Sequence, residues 1–103
     1  MAKSKIVITQ RAFSSINECV LFLKCVSNEA AKKLYSEIIT SIKSLEEFPN
    51  AYPLIDGLTI KEVGVRRMPI HQGRYVIIYK YESNIITIYD IIDSRKDNSI
   101  LTI

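Results

Sequence analysis

Histidine appears once in this chain of 103 residues, cysteine twice, and glycine and proline three times each. One imidazole and two thiols do not supply the four donors of a structural zinc site, so no metal and no cofactor is called for. The glycines, Gly57, Gly64 and Gly73, stand too far apart to form a phosphate-cradling loop. Turn-breaking residues are scarce, while 48% of the chain is hydrophobic and 24% charged, which argues against disorder. Near the N-terminus the apolar run is only Ile6-Val7-Ile8, too short for a signal core or a membrane span. The expectation is a chain that is neither secreted nor membrane-anchored. Cys19 and Cys25 fall on different faces if both sit on one helix, so they read as reduced thiols of a cytoplasmic protein.

The net charge is only +3, from 14 Lys+Arg against 11 Asp+Glu. That balance alone says little about nucleic acid. Its distribution says more. Between Lys61 and Tyr81 the cations Lys61, Arg66, Arg67, Arg74 and Lys80 face a single acid, Glu62.

The length bounds the chain to one domain, residues 1–103, able to bury one layer of helix on one sheet. Lys5 to Thr9 is β-branched and reads as a first strand. From Arg11 to Val26 the period changes: Phe13, Ile16, Val20 and Leu23 make a helical stripe. Ser27 or Asn28 caps a second helix with Glu29 in its first turn. Its stripe is Ala31, Leu34, Ile38, Ile42 and Leu45, and it stops before Pro49. Asn50 to Gly57 is a loop. Ile60 to Ile70 is extended, but Pro69 lacks an N–H, so the segment is an edge strand or is bulged. Gln72-Gly73-Arg74 is a tight link into the strand Tyr75 to Tyr81. Glu82-Ser83-Asn84 links that strand to Ile85–Ile92. Both runs are almost continuously apolar, so one face packs on helices and the other is partly covered. The tail from Asn98 is too short to assign. The order is strand, helix, helix, then three strands: a two-layer α+β domain with an antiparallel helix hairpin on an antiparallel sheet.

Candidate chemistry is sparse. His71 is either a solvated loop residue or a general acid or base. A thiol nucleophile would need His71 within hydrogen-bond reach of Cys19 or Cys25; the plainer reading packs both thiols in a helix. Arg66, Arg67, Arg74, Arg95 and Lys96 form a candidate target-binding group. Arg66 and Arg67 are adjacent on one strand and point to opposite faces. Tyr75, Tyr79 and Tyr81 share one strand face, where they could stack on bases or fill a core; the structural reading is favoured.

The helix hairpin ending LEEFPNAYP, with Leu45, Phe48, Pro49 and Pro53, leads into VRRMPI, RYVIIYKY and IYDIIDSRKD. In that order and spacing the chain resembles the RelE/ParE superfamily of toxins from bacterial type II toxin–antitoxin (plasmid stabilisation) systems. The resemblance covers nearly the whole chain. It implies a first strand, two helices and a three-stranded antiparallel sheet, and a cognate antitoxin whose extended part wraps the toxin. RelE-like members cut messenger RNA in the ribosome; ParE-like members block DNA gyrase. On this alignment Arg67 falls at a basic sheet position, His71 near another, and Arg95 at the end of the last strand. Val76 stands where the ribonucleases carry a phosphate-holding arginine, Asp93 where ParE-like chains often have histidine, and no tyrosine follows Arg95. Losing one preorganised cation costs about 2–4 kcal/mol of transition-state stabilisation, by analogy with an oxyanion donor. The resemblance therefore favours a ParE-like gyrase inhibitor acting by binding. The alternatives are a RelE-like ribosome-dependent endoribonuclease, with Arg67, His71 and Arg95 catalytic on mRNA, and a degenerate toxin that only binds its antitoxin. The expected assembly is a hetero-oligomer with the antitoxin or a homodimer, with no membrane partner.

Overall fold

Lys5–Ile8 forms a short strand, β1, and Thr9 ends it by capping the helix that follows. The Thr9 hydroxyl oxygen accepts the Ala12 amide at 3.1 Å, satisfying one of the first-turn N–H groups of α1, Gln10–Lys24. Ser27 repeats the device, its Oγ accepting the Ala30 amide at 3.2 Å at the start of α2, Asn28–Ser44. The three strands after the helices are β2, Val65–Ile70; β3, Tyr75–Glu82; and β4, Ile85–Asp93. The computed structural model describes residues 4–55 and 64–94. The expected strand start at Ile60 and the tail from Asn98 lie outside those residues.

The sheet order is β1-β4-β3-β2. β2, β3 and β4 are antiparallel neighbours, as expected, and β1 adds to β4 in parallel, so the sheet is mixed. The helix hairpin carries the chain from one edge of the sheet to the other, which is why β1 and β2 do not meet. Ser83 and Asn84 both have positive φ, 52° and 64°, giving a two-residue hairpin turn whose twist suits the strands it joins. β2 is an edge strand, which tolerates Pro69. Its outer side is partly closed by the chain at Pro53–Ile55: the Ile55 amide donates to the Val65 carbonyl at 2.8 Å, and the Arg67 amide to that of Pro53 at 3.2 Å.

One face of the sheet packs on the helices. Leu34, Ile38 and Leu45 meet Met68, Ile77, Tyr79, Ile86 and Ile88 there in a fully buried core. The opposite face has a second, smaller cluster, Val65, Val76 and Ile78, with Ile55, Tyr89 and Ile92 against it. This two-sided cover explains the unbroken apolar runs of β3 and β4. The stripe on α1 differs from the sequence reading by one position. Ala12 and Ile16 are buried, while Phe13 is 55% exposed. A one-residue step turns a helical side chain by about 100°, and the small Ala12 is the residue that meets the core. Cys19 packs against the core, but Cys25 is the exposed C-cap of α1 rather than a packing residue. Leu45 caps α2, and Glu46–Phe48 continue in a turn before Pro49. Among the described residues no helix is long and apolar enough to cross a membrane.

A register shift between Ile78 and Tyr79 marks a bulge, with Ile78 opposite Asp90 and Tyr79 opposite Ile88. Asp90 is buried at this bulge. Its Oδ1 accepts the Ile91 amide at 2.8 Å and its Oδ2 accepts from Arg11 Nε at 3.1 Å, which ties the first turn of α1 to β4. Replacing a carboxylate that accepts two such bonds leaves donors without an acceptor, so Asp90→Ala should cost about 1.5–3 kcal/mol. Urea unfolding of the variant checks this, and an unchanged midpoint would remove the bulge from the list of stabilising features.

Candidate functional site

The two adjacent arginines on β2 have separate fates. Arg66 pairs in register with Tyr79 on the helix-packed face, and its Nη1 donates to the Tyr52 carbonyl at 2.6 Å. Tyr79 is fully buried and its hydroxyl donates to the Pro49 carbonyl at 2.9 Å. Together they fasten the chain after α2 to the sheet. Burial pushes the Tyr79 phenol up to about 12, with Arg66 opposing the shift. Arg67, one residue on, points to the opposite face and is exposed.

The β2–β3 turn carries His71 and Arg74. Three successive residues are left-handed there: His71 at φ 53°, Gln72 at 59° and Gly73 at 81°. Gly73 takes that conformation freely. For the two non-glycine residues it costs on the order of 1 kcal/mol or more each. Contacts from two elements offset this cost. On α2, the Glu37 carboxylate accepts the His71 amide at 2.6 Å on Oε2 and faces the His71 ring Nδ1 at 2.9 Å with Oε1. From the end of β4, Ser94 donates its amide to the Arg74 carbonyl at 2.8 Å, and its hydroxyl faces the carbonyls of Gly73 and Arg74. The hydrogen bonds from His71 hold the Glu37 carboxyl below its ordinary value of 4.5, against a smaller opposing push from burial.

Arg74 is exposed at the end of this turn. Neither its guanidinium nor that of Arg67 meets a carboxylate among the described residues. Lys80 does: its Nζ lies 3.5 Å from Glu82. Arg95 and Lys96, like Lys61 and Glu62, lie outside the described residues. Val76 is buried in the second cluster opposite Pro69 and brings no charge to the sheet. His71 is 33% exposed and its ring Nδ1 is engaged by Glu37. Among the described residues no group of three His, Cys, Asp or Glu side chains is placed to hold a metal ion. Tyr75 and Tyr79 are buried and Tyr81 packs against the same core.

Glu37 and Ser94 were not singled out from the sequence. Glu37 sits off the apolar stripe of α2 and far along the chain from His71, so no spacing pattern connects them. A separate feature is a groove of about 420 Å³ between the helices, lined by Val20, Lys24, Ala31, Lys32 and Tyr35 among others. Its floor is apolar and its charged lining residues are both lysines.

A family model described as ParE toxin of type II toxin–antitoxin system, parDE, matches residues 6–98. Among solved structures, the chain is similar to the chromosomal ParDE TA system from P. aeruginosa, with a TM-score of 0.68. The two are 17% identical, and the match covers 88% of this chain and 96% of that one. At that identity the likeness speaks to fold. No curated protein sequence matches the chain.

The lowered Glu37 carboxyl has a defined consequence for pH. A group whose folded-state value is depressed stabilises the fold above its unfolded value and loses that contribution as pH falls through the folded one. The contribution should therefore be complete above about pH 4.5 and fade below it. Glu37→Gln, which cannot ionise, should flatten the acid limb of a melting-temperature profile; an unaltered limb would mean that the His71 contacts do not act on the carboxylate.

Proposed function

The chain belongs to the ParE toxin family of type II toxin–antitoxin systems, and from that premise we propose that it acts by gripping a target rather than by cutting RNA, with DNA gyrase as the target and the cytoplasm as the place of action. The observation that carries this reading is the contrast between two sets of residues. Arg67 and Arg74 are exposed without a carboxylate partner among the described residues, as a binding surface requires. The position at which cleavage would need a phosphate-holding cation is filled by Val76, which is buried and neutral. In-line cleavage through a 2′-hydroxyl builds charge on phosphorus that preordered cations must stabilise. A guanidinium that only binds an anionic group needs no such constellation. Arg66, bonded to the Tyr52 carbonyl, serves this site by holding the local chain. Arg95 and Lys96 belong to the proposed contact group by sequence alone.

A cognate antitoxin is the second partner. The groove between α1 and α2 offers it an apolar floor flanked by Lys24 and Lys32, with Phe13 exposed on α1. This surface suits an acidic, apolar segment of the antitoxin, separate from the arginines of the sheet.

Induction of the chain in cells without antitoxin tests both claims. Filamentation with DNA-damage signalling and intact translation is expected. Rapid arrest of protein synthesis with transcripts cut at codons would support the ribonuclease reading instead, and no growth effect the degenerate one. Arg67→Ala, Arg74→Ala and Arg95→Ala should each lower toxicity; full toxicity in all three would refute the assignment. Lys24→Glu with Lys32→Glu should leave toxicity intact and weaken rescue by co-expressed antitoxin, and unimpaired rescue would place the antitoxin elsewhere.

A further inference from the structure

The β2–β3 turn is a costly piece of backbone set directly before an exposed cation. Ser94 holds its far side through the Gly73 and Arg74 carbonyls. Glu37 holds its near side, and does so with both oxygens: one takes the His71 amide and the other faces the ring. A single acceptor would have satisfied the amide. The second contact also fixes the imidazole, whose ring lies 6.0 Å from that of the buried Tyr75. The left-handed run is thus tied both to α2 and to the core, and Arg74 leaves it with a fixed backbone and an exposed side chain that meets no carboxylate among the described residues.

We propose that Glu37 is a positioning residue for target binding: its carboxylate anchors the β2–β3 turn to α2 and so sets where the Arg74 guanidinium stands when it meets an anionic group of the target. The proposal rests on the reading of Arg74 as a target contact. Its physical basis is preorganisation. A long arginine side chain loses rotamer freedom on binding in any case, and a turn that also had to be ordered would add to that loss. Holding the turn beforehand removes the second cost. The lowered Glu37 carboxyl fits this role, because the ionised form is the one that accepts from the turn.

A double-mutant cycle on the full chain tests it, with Kd for purified DNA gyrase as one readout and growth inhibition in antitoxin-free cells as the other. Glu37→Ala should weaken gyrase binding about fivefold, and should add nothing further once Arg74→Ala is present. Glu37→Gln should retain most of the affinity, since its amide offers the turn an acceptor and, to the other imidazole tautomer, a donor. Amide exchange supplies the control for folding: in Glu37→Ala the Gly73 and Arg74 amides should exchange faster, while those of Ile86 and Ile88 in β4 stay protected. An equal loss from Glu37→Ala with and without Arg74 would show that Glu37 acts through general stability, and would overturn the proposal. Unchanged binding in Glu37→Ala beside a real loss in Arg74→Ala would overturn it too, while leaving Arg74 as a target contact. No loss in Arg74→Ala would overturn both. If the parent chain does not bind gyrase at all, the target reading fails alone, and the same cycle read by growth inhibition still decides the role of Glu37.

Discussion

Burial of β3 on both faces is the constraint from which the rest of the molecule follows. Tyr75 through Tyr79 are buried one after another, with alternate side chains sent into the helix-packed core and into the smaller cluster behind the sheet. From Tyr75 to Tyr79 the strand therefore presents no exposed side chain for chemistry. The exposed cations stand elsewhere, Arg67 on the edge strand β2 and Arg74 at the end of the β2–β3 turn. Val76 illustrates the conflict: a charged group at that position would have to be desolvated among Val65 and Ile78, at a cost of several kcal/mol unless paired. In this chain the packing role of the position and a phosphate-holding role are not compatible.

Two kinds of polar anchor join this centre to its surroundings. Asp90 at the bulge links β4 to the start of α1 through Arg11. Arg66 and Tyr79 link the middle of the sheet to the carbonyls that follow α2. Each spends a side chain that looks functional in sequence on a backbone partner or an ion pair. The useful distinction between Arg66 and Arg67 lies there. They are adjacent and chemically identical, but strand parity sends one into the fold and the other to solvent.

Much of this was legible from residue patterns. The element order, the tyrosine parity, the edge or bulged position that Pro69 implies and the short hairpin link at Glu82-Ser83-Asn84 all follow from periodicity and local stereochemistry. So did the opposite faces of Arg66 and Arg67. What escaped were contacts between residues far apart in the chain. Nothing near Glu37 announces that its carboxylate meets His71, because helix periodicity reports which residues face the core and is silent about which of the others meet a distant turn. Phe13 was misplaced for a related reason: hydrophobicity favours it over Ala12, whereas close packing of a first helical turn favours the smaller residue. The bulge at Asp90 appears in sequence only as one acid in an apolar run, and the two-versus-one count is set by pairing with β3.

The parallel seating of β1 also bears on how the chain is made. Its register runs from Lys5 opposite Ile85 to Ile8 opposite Ile88, and the Lys5 amide donates to the carbonyl of Asn84 at 3.0 Å. β1 therefore has no partner until the other described strands have been made. While the helix hairpin forms from local contacts, β1 must wait, and the sheet closes only after β4 has left the ribosome. A nascent chain interrupted before β4 lacks an interior strand of the sheet and leaves β1 without its partner, so it would differ from the longer chain in architecture and not merely in length.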